Sequence, residues 1–315
     1  MLYRLKMMRE NPLDIEKNLR DKIASSDDYS LSINISNNSP NLIKGVDKQL
    51  LLQQLLNTVG ILVYFLCIYF ATSVNPNKIF FIETDPRISF PYMTSQVSVV
   101  ALVSISSLVP AFFITVCTVF IPESILVNVV YSKRSKILIY THLGCGLLQT
   151  LLLTDAVTNT IKIMVLRPRP NFLAYCNYMG YRDAMSSNNY TTYDSLVHAG
   201  TVGLWSNCRE QDIDSILSFP SGHSSFSFAG MMFTAMMFRF FIDFFHNFRF
   251  IGVDGILFIA PLLISSWIAI TRIQDHFHHE DDVIMGSMIG IIVSFYTFRS
   301  CEYYLNHYLQ KNQGK

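Results

Sequence analysis

The sequence contains little charge for its length. Only 15% of its 315 residues are charged, and 24 basic residues stand against 23 acidic ones, for a net charge of +1. No block of basic residues is present, so the pattern typical of nucleic-acid binding is missing. Half of the residues are hydrophobic, and the mean hydropathy of +0.31 is positive. This balance excludes an ordinary soluble protein and indicates a chain that crosses a membrane several times.

Cysteine is also scarce, and the N-terminal segment lacks a long apolar run. Four of the six cysteines lie in or beside apolar segments, where a free cysteine behaves as a small hydrophobic residue, whereas Cys176 and Cys208 lie in a polar stretch. The first 48 residues are dotted with charges and have no apolar run, so we expect no secretory signal peptide. Residues 1–50 are therefore expected to form a cytosolic tail that is largely disordered.

Apolar runs of the length needed to span a bilayer, roughly 20 residues, recur along the chain. We predict an all-α polytopic membrane domain at residues 51–305, without internal repeats, and a C-terminal cytosolic tail at 306–315. The six expected spans are Leu52–Ser73, Val97–Ile121, Ile137–Ile161, Ser224–Phe245, Ile251–Ile270 and Val283–Tyr304.

The distribution of basic residues predicts the orientation. With both termini in the cytosol, the inner segments hold 16 of the 24 Lys and Arg residues. An excess of basic residues on the cytosolic side is the usual arrangement. The third and fifth spans then end on the outer side, where the fourth and sixth begin.

Three polar motifs lie at these outer ends. They are Lys162–Pro170 after the third span, Ser218–Ser224 before the fourth, and Thr271–Asp282 between the fifth and the sixth. Because successive spans alternate in direction, the three motifs meet on one membrane face, whatever the exact boundaries.

The third motif can supply a nucleophile. His278 precedes Asp282 by four residues, so on a helix the imidazole and the carboxylate would share a face. A carboxylate that accepts from one ring nitrogen leaves the lone pair of the other nitrogen available for attack. Arg272 would supply a guanidinium suited to phosphate.

Two other interpretations of the third motif stay open when it is taken alone. The first is a charged loop that is simply solvated. The second is a metal site, since imidazoles and carboxylates are ordinary ligands. Its candidate ligands would be His276, His278, His279, Glu280, Asp281 and Asp282.

The first two motifs suit an anion. Cations at the C-terminal end of the third span are favourable with the helix dipole. Gly222 would let a ligand approach the backbone, and the free amides at a helix start bind anions. Each motif can also be explained without a ligand. The first could be a helix end with snorkelling basic side chains, and the second an ordinary capped helix start.

The polar loop between these two motifs is nearly fifty residues long, too long for a mere connection. It contains a glycosylation sequon at Asn189 together with Cys176 and Cys208. An outer or lumenal loop permits both a sugar and a disulfide. We therefore hypothesise glycosylation at Asn189 and a bridge between Cys176 and Cys208.

In their order and spacing the three motifs resemble the type 2 phosphatidic acid phosphatase (lipid phosphate phosphatase) family. The matching residues are Lys162, Arg169-Pro170, Pro220-Ser221-Gly222-His223, Arg272, His278 and Asp282. The resemblance covers residues 50–305 and not the N-terminal tail. Two departures keep every charge: Thr271 stands where the family usually has serine, and Leu166 stands where glycine often precedes the Arg-Pro-Arg-Pro run.

The resemblance implies roles for individual residues. His278 would attack phosphorus and carry a phosphohistidine, with Asp282 orienting it, and His223 would protonate the leaving alkoxide as general acid. Arg167 is expected to be a helper at most. Charge on the nonbridging oxygens would be stabilised by a binding set. Its members are Lys162, Arg169, Ser221, Gly222 and Arg272.

Three fixed cations would do electrostatically what magnesium does in kinases, and they would repel a divalent cation. We therefore expect no metal and no cofactor. The expected protein is a multi-pass membrane phosphatase, independent of magnesium, with its active site on the extracellular or lumenal side. Its substrate would be a lipid phosphate held in the bilayer, such as phosphatidate, lysophosphatidate, diacylglycerol pyrophosphate, or a sphingoid or ceramide phosphate.

Three alternatives belong to other classes. A related membrane phosphatase could act on a soluble ester such as glucose 6-phosphate. A catalytically silent, lipid-binding scaffold should lack motif residues, whereas this chain has all of them. A transporter would be expected to hold its charged cluster in the middle of the spans rather than at a membrane face.

Overall fold

The computed structural model describes residues 52, 54–63, 66, 79–121, 132–244 and 251–313, and these residues are mostly helical. In chain order the helices are α1 (Gln54–Val63), α2 (Val99–Val119), α3 (Ser132–Val165), α4 (Phe172–Tyr175), α5 (Tyr181–Ser187), α6 (Thr191–Leu196), α7 (Gly222–Phe244), α8 (Ile251–Gln274) and α9 (Glu280–Gln313). Two short strands, β1 (Phe81–Ile82) and β2 (Val202–Gly203), pair antiparallel. Single 3-10 turns occur at Pro86–Ile88, Trp205–Asn207 and Ile213–Ile216.

Five of the helices are long and apolar enough to cross a membrane by their length and composition, namely α2, α3, α7, α8 and α9. They correspond to the second to sixth expected spans, which confirms a mostly helical, polytopic membrane protein. The expected tail at 1–50 lies outside the described residues, as does much of the first span, Leu52–Ser73, of which α1 is the main described part. The number of six spans therefore stays a prediction.

Helix α7 forms the centre of the bundle. It packs against α2, α3, α8 and α9. In its most apolar stretch 78% of the residues are buried, against 22% in α2 and α8. Met231, Phe233 and Met237 are fully buried, as expected for a helix that is apolar on every side. The outer helices expose their apolar faces, as membrane-facing helices do.

Close contact between α7 and α9 sets the distance between two of the motifs. A Cβ atom added to Gly286 of α9 would lie 2.4 Å from the carbonyl oxygen of Ser221, which real atoms cannot do. Only glycine lets the two backbones approach this closely. The amide of Ser221 in turn donates to the carbonyl of Asp282 at 2.9 Å. The second and third motifs are thereby joined through backbone.

The end of α3 shows why glycine is favoured at the position of Leu166. Leu166 has a φ of 51°, in the left-handed region, and its amide donates to the carbonyl of Lys162 at 3.0 Å. Glycine is the favoured residue at such a helix end because it has no Cβ. Pro168 and Pro170 then prevent the helix from continuing. The chain keeps this conformation with leucine, which costs about 1 kcal/mol.

A small cap, formed by residues 79–98 and 171–217, covers this end of the bundle. Its own core is apolar and includes Phe81, Phe172, Tyr178 and Trp205. Strand β1 from the first segment pairs with β2 from the second. Cys176 and Cys208 form a disulfide with Cα atoms 5.2 Å apart. The long polar loop is thus an ordered structure rather than a simple connection.

Candidate active site

The turn between α8 and α9 carries the predicted nucleophile. Residues 275–279 leave the helix, and His276 adopts a left-handed conformation with a φ of 57°. The amides of Phe277 and His278 both donate to the carbonyl of Arg272, at 3.0 and 3.2 Å. His278 therefore precedes the helix that contains Asp282, and the prediction of a shared helical face is wrong.

His278 is held as a neutral imidazole. It is 3% exposed, and its Nδ1 donates to the carbonyl of Ser218 at 2.7 Å, which leaves the lone pair on Nε2. Nη1 of Arg169 lies 3.3 Å from that Nε2. Burial lowers the pKa of His278 well below its usual 6.5, and positive charge on Arg169 and Lys162 lowers it further, against an opposing effect of Asp282. At neutral pH the ring is uncharged and can act as a nucleophile.

Asp282 supports His278 indirectly. Its Oδ2 lies 3.7 Å from Nδ1 of His278, longer than a hydrogen bond. The same oxygen accepts from the hydroxyl of Ser218 at 2.5 Å and from the amide of His279 at 2.9 Å. Oδ1 accepts from Nη1 of Arg167 at 2.7 Å. Ser218 therefore touches both residues, through its carbonyl and its hydroxyl, and it is the nearest partner of the imidazole.

Arg169 lies beside His278 with its guanidinium fixed. Its Nε donates to the carbonyl of Asp214 at 2.6 Å, and its Nη2 pairs with the carboxylate of that residue at 2.7 Å. Nη1 donates to the carbonyl of Phe277 at 3.1 Å. The side chain is buried, so these acceptors offset the cost of removing its charge from water.

The ring of Phe277 lies between two of the predicted phosphate-binding cations. The guanidinium carbon of Arg169 lies 5.6 Å from the ring centroid, and that of Arg272 lies 5.9 Å from it. Cations are attracted to an aromatic face at this distance. The aromatic residue between the two histidines thus contacts both arginines.

Arg272, at the end of α8, is 2% exposed. Its Nη2 pairs with the buried carboxylate of Asp275 at 2.9 Å. The hydroxyl of Thr271 accepts from Nε at 3.1 Å and from Nη2 at 2.9 Å. The threonine that replaces the usual serine therefore keeps a hydroxyl with a clear structural use.

Lys162, the third cation, reaches from the last turn of α3 to the start of α7. It is 8% exposed, and its Nζ donates to the carbonyl of Leu217 at 2.5 Å. A Cβ atom on Gly222 would lie 3.7 Å from Cε of Lys162. The lysine and the start of α7 are therefore in direct contact, as the predicted binding set requires.

The start of α7 supplies polar groups to the same place. The hydroxyl of Ser221 accepts from the hydroxyl of Ser224 at 3.1 Å, so its own proton stays available to a ligand. The first amides of the helix, beginning with Gly222, have no intrahelical carbonyl to bind. Nε2 of His223 donates to the carbonyl of Val97 at 3.1 Å, which leaves Nδ1 for proton exchange.

A cleft of about 410 Å³ opens beside His278. Arg87 and Phe90 of the cap form one wall, and His276 and His279 form another. Phe90 stacks on His276 with ring centroids 4.6 Å apart. The cleft connects the buried His278 with the surface at the cap.

Most residues of the alternative metal site have other partners. His276 stacks on Phe90, His279 donates to the carbonyl of Pro168 at 3.2 Å, and Asp281 pairs with Arg167 at 2.5 Å. Within the described ranges, no three His, Cys, Asp or Glu side chains are arranged to hold a metal ion. The structure thus gives the metal interpretation no support in the part of the chain that it describes.

The structure brings all predicted site residues to one end of the bundle and adds residues that the sequence analysis missed. The additions are Ser218, Asp214, Asp275, Phe277 and the segment Ser95–Val97. Asp275 could have been found, because it follows Arg272 by three residues and ion pairs at that spacing are common on helices. Ser218 acts partly through its carbonyl, which no side-chain pattern reveals.

Comparison with known proteins adds independent findings. A model of the PAP2 superfamily matches residues 143–305, just over half of the chain. "Probable diacylglycerol pyrophosphate phosphatase 1" of Schizosaccharomyces pombe is 30% identical over 205 residues, which cover 64% of this chain and 67% of the relative. "Lipid phosphate phosphatase 1" of Arabidopsis thaliana is 32% identical over 206 residues, covering 65% and 58%.

A second yeast relative extends the alignment. "Diacylglycerol pyrophosphate phosphatase 1" of Saccharomyces cerevisiae is 30% identical over 234 residues, covering 70% of this chain and 69% of the relative. The chain thus spans between 58% and 69% of the length of these three relatives. No solved structure matches the chain.

Proposed function

Because the chain belongs to the PAP2 superfamily, we propose that it is an integral membrane phosphatase that hydrolyses lipid phosphomonoesters through a phosphohistidine. The observation that carries this proposal is the state of His278. Its Nδ1 is bound to the carbonyl of Ser218, and its Nε2 lies beside Arg169. Such an imidazole is neutral, has one tautomer, and directs its lone pair at the cation that would hold a phosphate oxygen.

In the first half of the reaction Nε2 of His278 attacks phosphorus. The N–P bond forms as the bond from phosphorus to the lipid oxygen breaks, and protonated His223 gives its Nδ1 proton to the departing alkoxide. Lys162, Arg169 and Arg272 stabilise the charge on the nonbridging oxygens, which is greatest in the transition state. These cations are held by protein acceptors before substrate arrives, so little reorganisation is needed.

In the second half of the reaction water attacks the phosphohistidine. The neutral His223 takes a proton from that water, the N–P bond breaks, and inorganic phosphate leaves. Nδ1 of His278 keeps its proton throughout, since its partner is a carbonyl oxygen. Asp282 stabilises the positive charge that the ring carries while it is phosphorylated.

We propose that the reaction needs no magnesium. Three cations already surround the position of the phosphoryl group, and a divalent cation there would meet their repulsion. Activity should therefore persist in excess chelator.

The lipid substrate is proposed from the position of the site. The residues of the binding set lie where apolar helices end, so a lipid can place its head group in the site while its tails stay in the bilayer. The printed names of the relatives add lipid phosphates and diacylglycerol pyrophosphate as candidates.

The proposed orientation puts the site on the extracellular or lumenal face. Asn189 is exposed on the cap, so glycosylation there is sterically open. Removal of glycans from the protein made in its host should increase its electrophoretic mobility, and Asn189→Gln should remove that shift. Absence of any shift in the wild type would count against the hypothesis of glycosylation at Asn189.

The main experiment measures phosphate release from phosphatidate and from diacylglycerol pyrophosphate in mixed micelles with excess EDTA. The purified full chain should turn over, and His278→Ala should lose at least about 10³-fold in kcat. His198→Ala is the matched control, because His198 is exposed on the cap and should leave activity within about twofold.

Each other result points elsewhere. Loss of activity in EDTA would restore the metal interpretation. Release from glucose 6-phosphate alone would indicate a phosphatase for soluble esters. No release from any of these substrates would indicate a silent scaffold.

A further inference from the structure

Three residues that precede α2 touch three different parts of the candidate site. Ser95, Gln96 and Val97 lie outside residues 143–305, the range matched by the family model. We propose that this segment is a positioning element that fixes Arg272 and His223 relative to each other. The inference rests on the proposed function of the site, and it assigns a role to a part of the chain that the catalytic motifs do not include.

A continuous chain of hydrogen bonds joins the two functional side chains. Nη1 of Arg272 donates to the hydroxyl of Ser95 at 2.8 Å. That hydroxyl donates to the carbonyl of Val97 at 2.8 Å, and the same carbonyl accepts from Nε2 of His223 at 3.1 Å. The residue that binds phosphate and the residue that protonates the leaving group are thus connected through one serine and one carbonyl.

Gln96 completes the other side of Arg272. Its amide N–H donates to Oδ2 of Asp275 at 2.9 Å, and its side-chain Nε2 donates to Oδ1 at 2.6 Å. Arg272 and Asp275 form a buried pair, with side chains 2% and 4% exposed. Such a pair is favourable only when its remaining oxygens also have donors. Gln96 supplies two of them, so it holds the carboxylate that holds the guanidinium.

Almost all N–H donors of the Arg272 guanidinium are therefore already hydrogen-bonded to the protein. Thr271 accepts from Nε and from Nη2, Asp275 accepts from Nη2, and Ser95 accepts from Nη1. Arginine has five N–H donors, and these contacts use four of them. One N–H on Nη1 is left for a phosphate oxygen. With so few free donors, the direction of that bond depends on the contacts that orient the plane.

The position of the segment is itself fixed. Val97 is 2% exposed and packs in an apolar cluster with Leu102 and Ile268. Ser98 caps α2 by accepting from the amide of Ala101 at 3.2 Å. Ser95 and Gln96, by contrast, are exposed residues, so their side chains can be changed without opening a core.

The test uses Ser95→Ala and Gln96→Ala in the full-length protein, with Gln274→Ala as the matched control. Gln274 is an exposed glutamine that contacts the Gln96 amide at 3.4 Å and touches no group assigned to phosphate. Orthovanadate, which adopts the geometry of the transition state, and inorganic phosphate are the two probes. Binding of both is measured by the shift in thermal unfolding, and kcat/KM is measured with phosphatidate.

We expect Gln96→Ala to weaken orthovanadate binding about tenfold and inorganic phosphate binding less than threefold, with kcat/KM lower by about tenfold. Ser95→Ala should act in the same direction, and Gln274→Ala should match the wild type. In an Arg272→Ala background, Gln96→Ala should cost no further activity, because its effect passes through the arginine.

Orthovanadate binding within twofold of the wild type for both variants would overturn the inference. So would an equal loss from Gln96→Ala with and without Arg272. If the wild type binds orthovanadate but hydrolyses no lipid phosphate, only the proposed function is overturned. The comparison of orthovanadate binding among the variants then still tests the role of the segment. A wild type that binds neither probe would overturn both.

Discussion

Ser218 offers the sharpest test of how the nucleophile is held. Its hydroxyl donates to Oδ2 of Asp282 at 2.5 Å, and its carbonyl accepts from Nδ1 of His278 at 2.7 Å. Ser218→Ala removes the first bond and keeps the second. The tautomer of His278 should therefore persist, while the carboxylate loses one of its donors.

The size of the effect follows from burial. Ser218 and Asp282 are both 0% exposed, so water cannot replace the lost donor. A hydrogen bond to a charged group contributes about 1.5–3 kcal/mol. If all of this supports the phosphorylated ring in the transition state, kcat falls by about 10- to 150-fold. The KM for phosphatidate should change little, because Ser218 contacts no residue of the phosphate-binding set through its side chain.

Ser215→Ala is the matched control. Ser215 is also 0% exposed, and its hydroxyl donates to the carbonyl of Asp212 at 2.7 Å, away from the nucleophile. Ser218→Ala should lower the stability by about 1.5–3 kcal/mol and Ser215→Ala by about 1 kcal/mol, measured by thermal unfolding in detergent. Only Ser218→Ala should lose kcat in the phosphate-release assay. A kcat within threefold of the wild type for Ser218→Ala, or an equal loss in Ser215→Ala, would refute the reasoning.

Three further predictions concern pH, charge and the cap. Because burial, and then the charge of Arg169, lowers the pKa of His278, kcat/KM should keep its plateau below pH 6.5, and an acid limb at or above 6.5 would contradict this. The unfolded chain takes up that proton more readily, so thermal stability should fall as pH drops through 6.5. Asp214→Asn should lower kcat/KM only two- to fivefold, because its carboxylate is half exposed and such ion pairs contribute about 1 kcal/mol. Arg169→Lys should lower kcat/KM about a hundredfold. Equal losses in the two variants would argue against this ranking. The disulfide between Cys176 and Cys208 closes a loop with a sequence separation of 32. Replacing both cysteines by serine should lower the free energy of unfolding by about 4 kcal/mol. An unchanged melting temperature would count against a native bridge.

The sequence predicted the long helices well because hydropathy acts over whole spans. Helices α2, α3, α7, α8 and α9 each fall on an expected apolar run. Their alternation then brings the three motifs to one end without any knowledge of packing. The boundaries differ from the expected span of Val283–Tyr304: α9 begins at Glu280 and continues to Gln313, so Asp282 lies inside the helix rather than before it.

The local geometry of the nucleophile could not be predicted from spacing. The separation of four residues between His278 and Asp282 suggested one helical face. The left-handed conformation of His276 breaks the helix between α8 and α9, and a histidine carries no strong signal for such a break. Asp282 still reaches Ser218, the partner of His278, because α9 packs against the start of α7 at Gly286.

The contacts that hold the cations were missed for a general reason. Lys162 donates to the carbonyl of Leu217, Arg169 donates to those of Asp214 and Phe277, and His223 donates to that of Val97. Every residue has a carbonyl, so these partners leave no mark on the sequence. Only the carboxylates among the partners, such as Asp275, can be anticipated from residue type.

The type of hydrogen-bond partner affects how strongly each cation attracts a phosphate. A carbonyl oxygen holds a buried cation without cancelling its charge, whereas a carboxylate neutralises it. Lys162 is held by a carbonyl, and Arg169 is paired with a carboxylate that is 51% exposed and therefore weakened by water. Arg169 thus keeps most of its attraction for a phosphate. Arg272 is paired with a buried carboxylate and keeps less of this attraction. Its contribution therefore depends on the direction of its N–H groups more than on its charge. That direction is set by the segment before α2.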